Sequence, residues 1–183
     1  MTVKRLRVAF VMDPIEDIKP AKDTTLAMML AAQHRGWELA YLELGHIWLR
    51  DGVAMGRAHA IEARDDAKDW FSRGEPQTTR LGDFDVILMR KDPPFDTEYI
   101  YSTYILERAE LQGALVVNRP QGLRDMNEKV YTAWFPECCA PTLISRDMAD
   151  MHAFLREHQR AVCKPLYGMG GRSIFVVDAG DKN

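Results

Sequence analysis

"LRVAFVMDPIEDIKPAKDTTLAMMLAAQHRGWELAYLEL", residues 6–44, changes its apolar period twice. Leu6 to Met12 is a short, nearly continuous apolar run with β-branched content, ended by Asp13-Pro14. That is the pattern of a buried parallel strand. "DTTLAMMLAAQHRG" (23–36) then sets Leu26, Met29, Leu30 and Gln33 at helical spacing. Asp23 or Thr24 is available to accept from the first free amides, and Gly36 to close the helix. Met28 and Met29 are expected in the core, where a flexible thioether packs well. "WELAYLEL", Trp37 to Leu44, returns to a strand pattern. Strand, helix, strand is the crossover of an open parallel sheet, which makes the fold α/β.

Working outward, "IWLRDGVAMGRAHAIEAR" (47–64) holds Asp51-Gly52 between two extended segments, a hairpin signal that predicts a small antiparallel excursion. "DFDVILMR" (83–90) is another buried strand. "DTEYIYSTYILERAELQG" (96–113) comes next, with Asp96 as a cap, a helical stripe through Ile100, Tyr104 and Ala109, and Gly113 as its stop. "ALVVN" (114–118) gives one more strand. After Arg119-Pro120 the texture changes. "LRDMNEKVYTAWF" (123–135) reads as helical and "APTLISRD" (140–147) as a short strand into a helix start. "MADMHAFLREHQ" (148–159) reads as an amphipathic helix with Met148, Met151 and Leu155 inward. "AVCKP" and "SIFVVD" are closing strands around a glycine turn. The predicted division is 1–124 and 125–183.

Composition bounds the function. The 183 residues are 46% hydrophobic and 28% charged, enough for one large or two small globular domains. A net charge of -3 and a pI near 6.0 leave no overall electrostatic footprint for nucleic acid. No apolar run approaches the roughly 20 residues that span a bilayer, so no membrane partner is expected and the protein is expected in the cytoplasm. Cys138, Cys139 and Cys163 have no metal-ligand spacing and are expected as free thiols. The five histidines, His34, His46, His59, His152 and His158, likewise sit at no ligand spacing and are expected on the surface or on helix faces.

Two stretches carry chemistry. In "VCKPLYGMGGRSIF" (162–175) Lys164 ends an apolar run before Gly168, Gly170 and Gly171. Such glycines either expose backbone amides to an anion or simply serve the positive φ angles of a hairpin. It is neither a Walker loop nor a dinucleotide fingerprint, because the lysine precedes the glycines. In "ILMRKDPPFD" (87–96) Arg90, Lys91 and Asp92 lie just past a buried strand, at the carboxyl edge where open α/β sheets bind ligands, and Pro93 and Pro94 stiffen the loop. Three adjacent charges are also typical of a solvated surface loop.

Four segments, "VMDPIEDIKPAKDTTLAMMLAAQHRGWEL" (11–39), "DVILMRKDPPFDTEYIYSTYILERAE" (85–110), "VVNRPQGLRDMNEKVYTAWF" (116–135) and "KPLYGMGGRSIF" (164–175), together resemble the prokaryotic glutathione synthetases, ATP-grasp ligases. The resemblance runs across essentially the whole chain. It implies an open, mainly parallel Rossmann-like (pre-ATP-grasp) amino-terminal substrate domain, then a small α+β ATP-grasp lid domain. The catalytic domain would lie beyond residue 183, so the chain is expected to be cut short. The implied reaction joins γ-glutamylcysteine to glycine, with ATP and Mg²⁺, through an acyl phosphate, and a homo-oligomer is expected. By motif, Lys129 and Lys164 match family lysines that approach the nucleotide phosphates, and Gly168, Met169, Gly170 and Gly171 match the family's mobile loop over the transferring phosphate. Tyr167 stands where a small acidic residue is expected. Asp13, Lys22, Arg90 and Asp92 are candidate binders of the dipeptide's charged ends, Arg90 foremost because its fork suits a carboxylate. Asp13 alternatively only ends its strand and starts a turn. No residue of the chain is expected to ligate metal. The resemblance leaves two functions open, a part of the ligase or a non-catalytic substrate-binding or dimerisation module derived from it.

Overall fold

The computed structural model describes residues 5–167, 171 and 173–181, and the chain divides into two compact units, Met1–Arg124 and Asp125–Asn183. In the first, β1 (Arg7–Val11), α1 (Thr24–His34) and β2 (Glu38–Leu42) form the expected crossover. β3 (Ile47–Arg50) and β4 (Val53–Ala63) pair antiparallel around Asp51 (φ 51) and Gly52 (φ 76), the two left-handed positions of a tight hairpin turn. β5 (Phe71–Arg80), β6 (Val86–Met89), α2 (Thr97–Leu111) and β7 (Leu115–Val117) complete it, and α3 (Pro120–Asp125) spans its end. The sheet order is β3-β4-β2-β1-β6-β7, with β5 paired on β4. β2, β1, β6 and β7 run parallel. This is the expected α/β architecture.

Residues on β1 alternate between two cores. Val8, Phe10 and Met12 pack with Leu26, Met29 and Ala32 of α1. Ala9 and Val11 face the opposite cluster, where Tyr99, Leu106 and Ala109 of α2 lie. The period of two in a strand makes this division automatic.

Several expectations need correction. Met28 is 42% exposed while Met29 is fully buried, because neighbours on a helix are about 100° apart and Leu26 with Met29 already defines the inner face. On α2 the buried face is Tyr99, Ser102, Thr103, Leu106 and Ala109, whereas Ile100 is half-buried and Tyr104 is exposed. The Arg124 guanidinium lies 4.2 Å over the Tyr104 ring. The antiparallel part is larger than expected. β5 has no strand signature in the sequence, since its ten residues are almost all exposed and include Gly74 and Pro76, features of an edge strand.

In the second unit, α4 (Met148–His158) and the antiparallel pair β8 (Arg160–Cys163) and β9 (Phe175–Asp178) are present as expected. Residues 123–135 are not one helix. α3 stops at Asp125, and the Asn127 side-chain oxygen accepts from the Lys129 and Val130 amides, a local turn that competes with helix. Only a single 3-10 turn, Tyr131–Trp134, comes after it. Residues 140–147 form no strand. The Ser145 hydroxyl accepts from Asp147 N and donates to Asp150, and Asp147 caps α4 through Ala149 N. Met148 (61% exposed) and Met151 (36%) do not face inward. Phe154, Leu155 and His158 are the half-buried positions, because a pair of four-residue strands covers little of an 11-residue helix.

Candidate functional site

Parallel strands end on the same edge, and the order reverses between β1, whose crossover leads to β2, and β6, whose crossover leads to β7. That crevice is where open α/β sheets take ligands. Asp13, Arg90, Lys91 and Asp92 all come directly after these two strand ends, and the ladder runs on just far enough to fix them, with Arg90 N donating to Val11 O at 2.7 Å.

Asp13 is engaged at both oxygens. Lys91 Nζ lies 2.8 Å from Oδ1, and Asp92 N donates to Oδ2 at 2.8 Å. Lys91 Nζ also donates to the Asp92 carbonyl at 2.6 Å. The carboxylate therefore acts here as a clamp joining the ends of β1 and β6. Arg90 is held differently. Its Nε donates to Thr25 Oγ1 at 3.1 Å and its Nη2 to Thr24 Oγ1 at 2.9 Å. Both threonines open α1, whose own cap is Asp23, accepting from Leu26 N at 2.7 Å. Thr25 is 4% exposed. The Asp92 carboxylate is exposed and pairs with no described residue. The peptide bond between Pro93 and Pro94 is cis.

The structure thus brings Asp13, Arg90 and Asp92 together. Lys22, the last residue of the 3-10 turn Pro20–Lys22, is exposed, and its amine engages none of them. Thr24 and Thr25 are partners of Arg90 that sequence reasoning misses. Their only signal is the run "DTT", which has the same form as an ordinary helix cap.

In the second unit, Lys129 sits in the Asn127 turn, not on a helix. Its ammonium donates to Glu128 Oε1 at 2.8 Å and to Leu166 O at 3.2 Å, tying the 127–131 segment to the chain just after β8. Lys164 comes directly after β8 and is exposed. Gly171 has φ 77 and Ser173 φ 57, so left-handed backbone turns the chain toward β9. Gly168, Met169 and Gly170 lie outside the described residues. Cys138 and Cys163 are exposed and Cys139 is half-buried, all three free.

A second group of polar side chains occupies the first unit. The buried Tyr41 hydroxyl donates to Glu43 Oε1 at 2.7 Å and accepts from Ile15 N at 3.3 Å; burial, then the hydrogen bond to Glu43, push its pKa far above the usual value. Glu43 N donates to His46 Nδ1 at 3.1 Å, and the His46 and His59 rings are 5.7 Å apart. Both histidines are half-buried rather than on the surface. Burial holds His46 below its ordinary pKa, which suits a ring whose Nδ1 is an acceptor. Among the described residues no group of three or more His, Cys, Asp or Glu side chains is placed to hold a metal ion, and no helix is long and apolar enough to cross a membrane.

Residues 6–124 match the family model "Prokaryotic glutathione synthetase, N-terminal domain", and residues 128–183 match "Prokaryotic glutathione synthetase, ATP-grasp domain". A glutathione synthetase of Yersinia pestis is 54% identical over 178 residues, 97% of this chain and 56% of the relative. Those of Vibrio vulnificus and Escherichia coli K12 are each 51% identical over the same shares. The chain therefore spans a little over half the length of the curated relatives it matches.

Proposed function

This chain belongs to the prokaryotic glutathione synthetase family, and on that premise we propose that it serves the ATP-dependent ligation of γ-glutamylcysteine to glycine. The first unit is assigned the dipeptide and the second the nucleotide phosphates. The observation that carries this reading is the Arg90, Lys91, Asp13 and Asp92 cluster at the reversal point of the parallel sheet. A dipeptide bearing two carboxylates and an ammonium group needs charges of both signs at fixed positions, and this crevice has them. Arg90 offers a planar fork to a carboxylate. Asp92 offers an exposed carboxylate to the ammonium. Asp13 and Lys91 neutralise each other and hold both rims in register.

In the second unit Lys129 and Lys164 are assigned to the phosphates of ATP, with the glycine turn, Gly168 to Gly171, covering them. Support comes from the bond between Lys129 and Leu166 O, which links the two lysine segments within one unit. ATP supplies the phosphoryl group that activates the cysteinyl carboxylate for attack by the glycine amine. The work of these side chains is charge neutralisation and positioning. The described residues do not form a seat for Mg²⁺, so no step is assigned to a metal here. By itself the 183-residue chain is expected to give no ligation.

Calorimetric titration tests the reading. γ-Glutamylcysteine should bind the chain, and Arg90→Lys should weaken that binding by about tenfold or more, the scale of a lost charge-assisted contact. Absence of binding, or an indifferent Arg90→Lys variant, would remove the dipeptide assignment. Phosphate release that requires both dipeptide and glycine, from the chain alone, would refute the expectation of inactivity.

A further inference from the structure

We propose that Thr24 and Thr25 are positioning residues that decide which edge of the Arg90 guanidinium a substrate carboxylate meets; this rests on the assignment of the dipeptide to that crevice. A guanidinium carries five N–H donors, one on Nε and two on each terminal nitrogen, in a rigid plane. Nε and Nη2 share one edge, and Nη1 and Nη2 share the other. The two threonine hydroxyls occupy the first edge, at 3.1 Å and 2.9 Å. Among the described residues nothing accepts from Nη1. A bidentate partner is thus directed to the Nη1/Nη2 edge.

The chemistry of the two acceptors matters as much as their place. Hydroxyls orient the guanidinium without cancelling its charge. The neighbouring cation is treated otherwise, since Lys91 is paired with the Asp13 carboxylate at 2.8 Å. Arg90 forms no ion pair among the described residues. It is the cation of this cluster that keeps its full charge for an incoming anion. Thr25 is nearly buried and opens α1, so its hydroxyl is fixed by a rigid element rather than a loop. Both side chains are β-branched, which narrows their rotamers further.

The test uses the full chain, titrated with γ-glutamylcysteine and with its diamide, in which both carboxylates are neutral. Thr24→Val with Thr25→Val keeps shape and removes both acceptors. Binding of the acid should fall about five- to tenfold, while the much weaker binding of the diamide stays unchanged. Thr25→Ser should restore most of the affinity. In an Arg90→Lys background the threonine substitutions should cost nothing more, because their effect passes through the fork. A merely structural role would instead lower both ligands alike and add to the Arg90→Lys loss, overturning the proposal. Wild-type affinity in the double valine variant, with Arg90→Lys still impaired, would overturn it and leave the dipeptide assignment standing. An indifferent Arg90→Lys variant would remove both. Should the double variant fail to fold, Thr24→Val alone, at an exposed position, is compared in the same way: a loss confined to the acid supports the proposal, and an equal loss for both ligands, or none, overturns it.

Discussion

Replacing Asp13 by Asn isolates what the clamp between β1 and β6 is worth. The side chain keeps its shape, and one oxygen remains to accept from either Asp92 N or Lys91, but the charge is gone. Lys91 is four-fifths buried as a side chain and Asp13 about two-thirds, so the pair lies between a solvent-screened bridge and a buried one. Exposed pairs are worth about 0–1 kcal/mol and hydrogen bonds to charged groups about 1.5–3 kcal/mol. A loss of about 1–2 kcal/mol is therefore expected, with Lys91 left partly desolvated and unpaired. For a unit of this size that corresponds to a fall in melting temperature of about 4–8 °C. Tryptophan fluorescence in urea reads it, because Trp37, Trp48 and Trp70 all belong to the first unit. A Trp134→Phe background silences the second. A double-mutant cycle with Lys91→Met should return a coupling of at least about 0.5 kcal/mol. A change below about 0.3 kcal/mol for Asp13→Asn, with no coupling, would show that the carboxylate holds nothing.

Leu106→Ala empties a fully buried position of α2 and should cost about 2–5 kcal/mol in the same urea assay. Gly56→Ala should also destabilise, by about 1–3 kcal/mol, because the added Cβ would stand 2.6 Å from the buried Leu81 side chain and 2.7 Å from that of Leu42. His46 is held neutral by burial, so its contribution to stability is complete above its ordinary pKa of 6.5 and is lost as pH falls from there through the lower folded value. The urea midpoint should drop between pH 7.5 and 5.5, and His46→Gln should flatten that component. Amide exchange should be faster throughout residues 125–181 than in the parallel strands, since no described residue of that segment is fully buried; equal protection would contradict this.

The parallel half of the sheet is legible in the sequence because each strand is buried on both faces, so β1, β2 and β6 read as short apolar runs between turn residues. The hairpin at Asp51-Gly52 is legible because two left-handed positions restrict residue choice. β5 is not, since a strand that buries only its backbone edge leaves no alternation in its side chains. The register of α2 is obscured for a related reason. Tyr and Thr serve either face, and Thr103 is buried while Tyr104, beneath Arg124, is not. At the site, Arg90 and Asp92 are legible from their place after a strand. The threonines are not, because a hydroxyl at a helix start satisfies the local backbone as readily as a distant guanidinium. In the second unit the turn at Asn127 and the Ser145 hydroxyl bonds replace the helix and strand that apolar spacing suggests.

The sheet's two borders constrain how copies of this protein assemble. One is β5, where Pro76 withholds an amide and Gly74 and a register shift opposite His59 and Ile61 disturb the line. The other is β7, only three residues long. Neither border invites a neighbouring chain to continue the ladder. Any symmetric partner must therefore meet this unit through helix faces or loops, and a substitution that straightened β5, such as Pro76→Val, would open a route to fibrous growth that the native strand keeps shut.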